Sequence, residues 1–289
     1  MKITGIFVLL LLSLSALADG INLIDAIKNK QIECTITGNS NSTHYLKPIT
    51  LKVKNLKSAF TLQIDNGQIL IASDTSYQNV VVTNGFLASF NAGEQKEFHL
   101  NAMCIEHSDR APSDNVKYKL GSTADVKLKK MAQFIEEKKY FNQTAQQAVW
   151  AVVGDYKLED ICGYPEDGYD DIIKFTATLL GKPIPPKPSA TDYKRNYNVA
   201  PTKRVMKGNF EFDFPSASHV TIGMFNKDGI IVRELYNNPT HPKGAQKLHF
   251  EFDAGEYNDK FYYIKVIVDG EVFIAKKIET LNPRLEEDN

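Results

Sequence analysis

The sequence predicts an α+β protein in two parts: a β-sandwich with packed helices, then an all-β sandwich. Three observations predict it. Short runs of alternating apolar and polar residues fill the stretch from Gln31 to Cys104. Three helical patterns follow between Ala124 and Leu180. Strict alternation returns from Gly208, after a proline-rich basic stretch. Strands followed by helices suit an α+β domain, and renewed alternation marks a second sandwich.

Residues 1–18 read MKITGIFVLLLLSLSALA. Lys2 gives a positive start, Ile6 to Leu12 an apolar core, and Ala16-Leu17-Ala18 a cleavage pattern before Asp19. That is the form of a secretory signal peptide, and its apolar run is too short to span a bilayer. No later run is long enough to span one, so no transmembrane segment is expected. The expected mature protein is exported: periplasmic, at the outer surface, or secreted.

Ile21, Leu23, Ile24 and Ile27 fit one face of a short helix. Strands are expected over 31–37, 49–53, 60–64, 68–72, 79–83, 85–90 and 96–104. Asn66-Gly67 is a tight-hairpin signal between two of them. After Pro112 the pattern turns helical, over 124–139, 143–153 and 169–180. Gly154 is placed to end the second of these helices, and Gly181 with Pro183 the third. Helices packed on a sandwich bury both their own faces and the sheet, so 19–180 reads as one domain.

Residues 181–207 form a linker. Pro183, Pro185, Pro186, Pro188 and Pro201 favour an extended, semi-rigid spacer. Its basic residues face only Asp192 as a counter-charge; a solvated linker and an acidic partner both suit that. In 208–280, Phe210, Phe212 and Phe214 alternate with polar residues, as do Val220, Ile222 and Met224, and Leu248, Phe250 and Phe252. Asp228-Gly229 and Asp269-Gly270 are hairpin turns. Six strands of this kind make a small sandwich. Residues 281–289 are an acidic tail.

Composition excludes several classes. Hydrophobic residues make up 43% and charged residues 24%, so wholesale disorder, collagen and coiled coil are out. The 34 basic and 35 acidic residues leave a net charge of −1, which provides no field to gather nucleic acid or an anionic membrane. The 3 cysteines, Cys34, Cys104 and Cys162, allow one disulfide and a free thiol, or three thiols.

No G-x-S-x-G, HExxH, Gly-rich phosphate loop or G-x-G-x-x-G is present, so no enzymatic activity and no cofactor are expected. Cys104 and His107 have C-x-x-H spacing, but a zinc site needs about four ligands and no second pair exists. Carboxylates across 155–171 have the oxygen chemistry for calcium without EF-hand spacing. A solvated loop with Asp170 and Asp171 in a helix first turn accounts for them as well. Asn41-Ser42-Thr43 and Asn142-Gln143-Thr144 are N-glycosylation sequons, relevant in a eukaryotic host.

Two resemblances add to this. FNKDGIIVREL, GAQKLHFEF and FYYIKVIVDGEVFIAKKIE resemble the immunoglobulin-like C-terminal modules of secreted bacterial proteins. These include flagellar-hook-cap-like domains and the type IX sorting domains of Bacteroidetes. The resemblance implies an Ig-like sandwich over 208–280. QNVVVT, LNAMCIEH and QTAQQAVWAV look like elements of an exported bacterial β-sandwich. The last two also resemble the thioester domains of Gram-positive surface adhesins. There a Cys between apolar residues bonds to a Gln four residues before a Trp. Met103-Cys104-Ile105 matches the first block, and Ala145 to Trp150 the second, with Gln146 in the bonding position. The resemblance implies a Cys104–Gln146 thioester.

In such chemistry the thiol attacks the carboxamide carbon and ammonia leaves. The acyl group must then stay dry until an amine arrives. Met103, Ile105, Val149 and Trp150 are apolar enough to form that shield. The residues equally describe a core thiol, an interface Trp and an ordinary polar Gln. The leading expectation is an exported non-catalytic binding or structural protein, meeting an unknown protein or glycan ligand at the cell surface. A covalent adhesin using Cys104 and Gln146 competes with it, and a cysteine hydrolase stands third.

Overall fold

A computed structural model describes residues 20–163, 168–186, 205–253, 259 and 261–279. The expected signal peptide, most of the linker and the acidic tail lie outside the described residues. What is described is mostly β, in several sheets, with four α-helices among the described residues.

The first region runs β1 (Ile21–Asn22), α1 (Leu23–Lys28), β2 (Ile32–Gly38), β3 (Ile49–Asn55), β4 (Phe60–Ile64), β5 (Gln68–Ala72), β6 (Val80–Val82), β7 (Phe86–Phe90), β8 (Gln95–Leu100), β9 (Ala102–Cys104) and β10 (Tyr118–Thr123). It continues through α2 (Val126–Lys138), α3 (Gln143–Val153), a 3-10 turn at Leu158–Asp160 and α4 (Tyr169–Leu180). Its three sheets have the orders β2-β3-β8, β1-β4-β7 and β10-β5-β6-β9.

Tertiary burial overrides several local signals. Asn66-Gly67 does not close a hairpin: β4 pairs with β7, while β5 pairs with β6 and β10. The turn, with Gly67 at φ +83°, instead passes the chain from one sheet to another. Asn66 bolts this corner to α2, donating to the Ala132 carbonyl at 3.0 Å and the Glu136 carboxylate at 2.9 Å. The strand expected over 96–104 breaks at Asn101 into β8 and β9, which belong to different sheets. Ile21 is not helical, because Asn22 must be extended to cap α1 through the Asp25 N–H. β10 shows no apolar alternation to announce it, since Tyr118 is its one buried position.

The helices begin and end on local chemistry. Asp125 caps α2 and Asn142 caps α3, each side chain accepting a backbone N–H. Gly154 and Gly181 close α3 and α4 at φ +89° and +67°, which glycine adopts without strain. Every residue of α3 from Thr144 to Ala151 is buried, so it is a core helix and not a surface one. One apolar cluster lies between the helices and β6/β9, with Met103, Met131, Ile135, Val149 and Ile172. Another lies between the sheets, with Ile49, Leu51, Leu62, Leu70, Cys104 and Trp150.

The second region holds the six expected strands: β11 (Val205–Phe214), β12 (Ser218–Phe225), β13 (Ile231–His241), β14 (Gly244–Asp253), β15 (Phe261–Val268) and β16 (Glu271–Glu279). They form the sheets β11-β14 and β13-β12-β15-β16. Asp269 and Gly270 both have positive φ, as a two-residue hairpin turn between β15 and β16 requires. Phe210, Phe212, Phe214, Ile222, Met224, Ile264 and Val266 fill this region's own core.

The two regions also share apolar surface. Phe225, Ile231 and Ile267 lie in the helix cluster of the first region, with Tyr45 and Leu46. Backbone bonds cross there, from Val272 N–H to Asn41 O at 2.7 Å and from Ala111 N–H to Asp228 O at 3.1 Å. Arg110 and Asp228 add an ion pair at 3.2 Å.

Candidate functional site

Helix α3 carries the site. Its cap at Asn142 sets the helical phase, and Ala145 and Ala148 are fully buried small residues that let it approach β9 closely. β9 is the outer strand of its sheet, so its free edge needs partners. Gln146 supplies them. The Cys104 N–H donates to Gln146 Oε1 at 2.9 Å, and Gln146 Nε2 donates to the Cys104 carbonyl at 2.7 Å. The carboxamide thus occupies the place of a further strand. Cys104 and Gln146, 42 residues apart in sequence, are both wholly buried.

Strand alternation divides the apolar residues expected around the thiol. Cys104 and Trp150 belong to the cluster between the sheets. Met103 and Val149 are fully buried in the helix cluster, and Ile105 packs against it half-buried. Neighbours along a strand face opposite sides, so Met103 and Cys104 cannot share an environment. Burial holds the Cys104 thiol well above the usual thiol range, and the Glu106 carboxylate adds to the rise. The sulfur is therefore protonated at neutral pH.

Trp150 is 5% exposed and sits between two histidines. His44 stacks on it with ring centroids 5.7 Å apart, and His107 meets it edge-on at 4.8 Å. His44 Nδ1 accepts from the Ile231 N–H at 3.4 Å, which leaves Nε2 to carry the proton. His44 Nε2 and Trp150 Nε1 are buried without a partner among the described residues.

Sequence reasoning missed a second pairing. Gln147, the next residue on α3, receives the Cys162 N–H on Oε1 at 2.7 Å, and its Nε2 lies 3.4 Å from Cys162 Sγ. The signal present in the sequence was the doubled glutamine, Gln146-Gln147, in a chain with cysteines to spare. None of the three cysteines is paired in a disulfide.

A cleft of about 630 Å³ opens between the two regions, lined by His44, Tyr77, Arg110, Asp228, Tyr263 and Lys265 among others. No cluster of His, Cys, Asp or Glu among the described residues has the makings of a metal site. Asp170 and Asp171 stand in the first turn of α4. The sequon Asn142 is committed to capping α3 and is 5% exposed. No helix among the described residues is long and apolar enough to cross a membrane. The chain matches no family model, no curated protein and no solved structure.

Proposed function

We propose that the protein is an exported binding protein of the cell exterior that attaches to its target covalently, through a thioester between Cys104 and Gln146. In this reading an N-terminal sandwich with packed helices presents the bond, and an Ig-like C-terminal module supports it. The observation that carries the reading is the seating of the Gln146 carboxamide against the Cys104 backbone by two hydrogen bonds. An amide held to both the N–H and the C=O of one residue lies beside that residue's Cα. The Cys104 N–H already points at the oxygen on which negative charge would develop.

The chemistry balances without a co-reactant. Sγ bonds to the Gln146 Cδ, the Cδ–Nε2 bond breaks, and the thiol proton leaves with the nitrogen as ammonia. A primary amine of the target later attacks Cδ, forming an amide and returning the proton to Sγ. The dry surroundings of Cys104 keep water out in the interval. The test is intact mass of freshly prepared protein against Cys104→Ala. The expected result is a deficit of one ammonia that vanishes in the variant, with methylamine adding to Gln146. A Cys104 that alkylates fully on denaturation, with no deficit, overturns the reading.

Non-covalent binding in the cleft between the regions is the second reading. It is favoured by the aromatic and cationic lining of that cleft and by the unpartnered, buried His44 Nε2. A ligand held there would be retained by the Cys104→Ala variant.

A further inference from the structure

We propose that Cys162 and Gln147 form a second thioester, nearer the surface, on the adjoining flank of α3. The inference extends the chemistry proposed for Cys104 and Gln146 to a different pair of atoms, and stands or falls separately from it. Three features build the pair. The Cys162 backbone is clamped to α3 by its N–H on Gln147 Oε1 at 2.7 Å and by Thr144 Oγ1 donating to its carbonyl at 3.2 Å. Gly163 makes the close approach feasible, because a Cβ there would lie 2.0 Å from Thr144 Oγ1. The sulfur then rests 3.4 Å from Gln147 Nε2, one bond from the carboxamide carbon.

The Gln147 nitrogen is the poorly satisfied member of this arrangement. Its side chain is in a residue 4% exposed, and its acceptor among the described residues is a thiol sulfur, a weak one. Gln146 Nε2, by contrast, has a carbonyl at 2.7 Å. The nitrogen that forfeits least by leaving is therefore that of Gln147.

In the step, Cys162 Sγ bonds to Gln147 Cδ while the Cδ–Nε2 bond breaks. The Cys162 N–H is placed to hold the developing charge on Oε1. Gln147 Nε2, which donates to Sγ at 3.4 Å in the intact pair, takes up the thiol proton as it departs, and ammonia is released. Burial keeps that proton on the sulfur beforehand. Cys162 is partly exposed where Cys104 is sealed, so this pair lies nearer the surface than the other.

The experiment compares intact masses of the full-length mature protein, Cys104→Ser, Cys162→Ser and Gln147→Glu, before and after methylamine. The two serine variants keep the backbone clamps, and circular dichroism checks that each variant folds. The wild type is expected to be short by two ammonias. Cys162→Ser and Gln147→Glu should each restore one of them, and fragmentation should find methylamine on Gln147 well before Gln146. A deficit unchanged by Cys162→Ser overturns this inference and leaves the Cys104 reading intact. A deficit abolished by Cys162→Ser alone supports it and overturns the other. No deficit in any protein overturns both.

Discussion

The Tyr45 hydroxyl donates a hydrogen bond to the carboxylate of Glu234, 189 residues further along the chain. Both residues are buried, and the Glu234 N–H also donates to Gln143 Oε1 at 3.0 Å. One glutamate of β13 thereby holds a loop and the start of α3 together. Tyr45→Phe removes a donor from a buried carboxylate and should cost about 1–3 kcal/mol. Chemical denaturation of the variant checks this, and an unchanged midpoint would count against the tie.

The region 208–280 should fold by itself, because it has its own core around Ile222, Met224 and Ile264. It should also show a greasy face, since Phe225, Ile231 and Ile267 lose their cover when the first region is absent. The fragment is expected to give a β-type circular dichroism spectrum and to bind an apolar dye more strongly than the full chain. An unfolded fragment would show that the shared surface is essential to it.

Trp150→Ala should destabilise the protein by roughly 3–5 kcal/mol, the range for emptying a core aromatic site. Trp150 is the single tryptophan, so native emission reports on this position alone. It is expected to be blue-shifted and shielded from quenchers, as 5% exposure requires. Red-shifted, freely quenched emission would contradict the burial.

Acid should weaken the fold through His44. Burial, with His107 nearby adding to the effect, pushes its pKa down to about 3. An unfolded imidazole takes up a proton near its ordinary value of about 6.5, whereas the folded one does not. The unfolded state therefore binds more protons between these two values, and stability falls as pH drops through that window. The loss approaches something on the order of 4 kcal/mol at its lower end. His44→Gln, which retains an acceptor for the Ile231 N–H, should flatten the decline. Equal pH slopes for the two proteins, measured by urea unfolding from pH 7 to pH 4, would rule His44 out.

Much of the architecture is legible in the sequence. Alternation marks β4, β12 and β15, and Gly154 marks the end of α3. These signals are readable because they are local: a cap bonds within a turn, and a strand's polar and apolar faces alternate every second residue. Cys104 and Gln146 also stand out as residues, through the blocks around them.

Which elements meet is another matter. The Asn66-Gly67 turn has hairpin chemistry, yet β4 and β5 enter different sheets, because burying Leu62 and Leu70 between sheets outweighs a two-residue turn preference. β8 and β9, divided at Asn101, likewise enter different sheets. Gln147 reads from sequence as a duplicate of Gln146, and only the folding of residues 158–163 against α3 brings Cys162 to it. The sequence by itself determined most of the elements and their buried faces, since those signals follow from contacts a few residues long, though not β10 or the break at Asn101. The tertiary structure alone decided the sheet partners and the Cys162–Gln147 pair, since those depend on apolar burial summed over residues far apart in the chain.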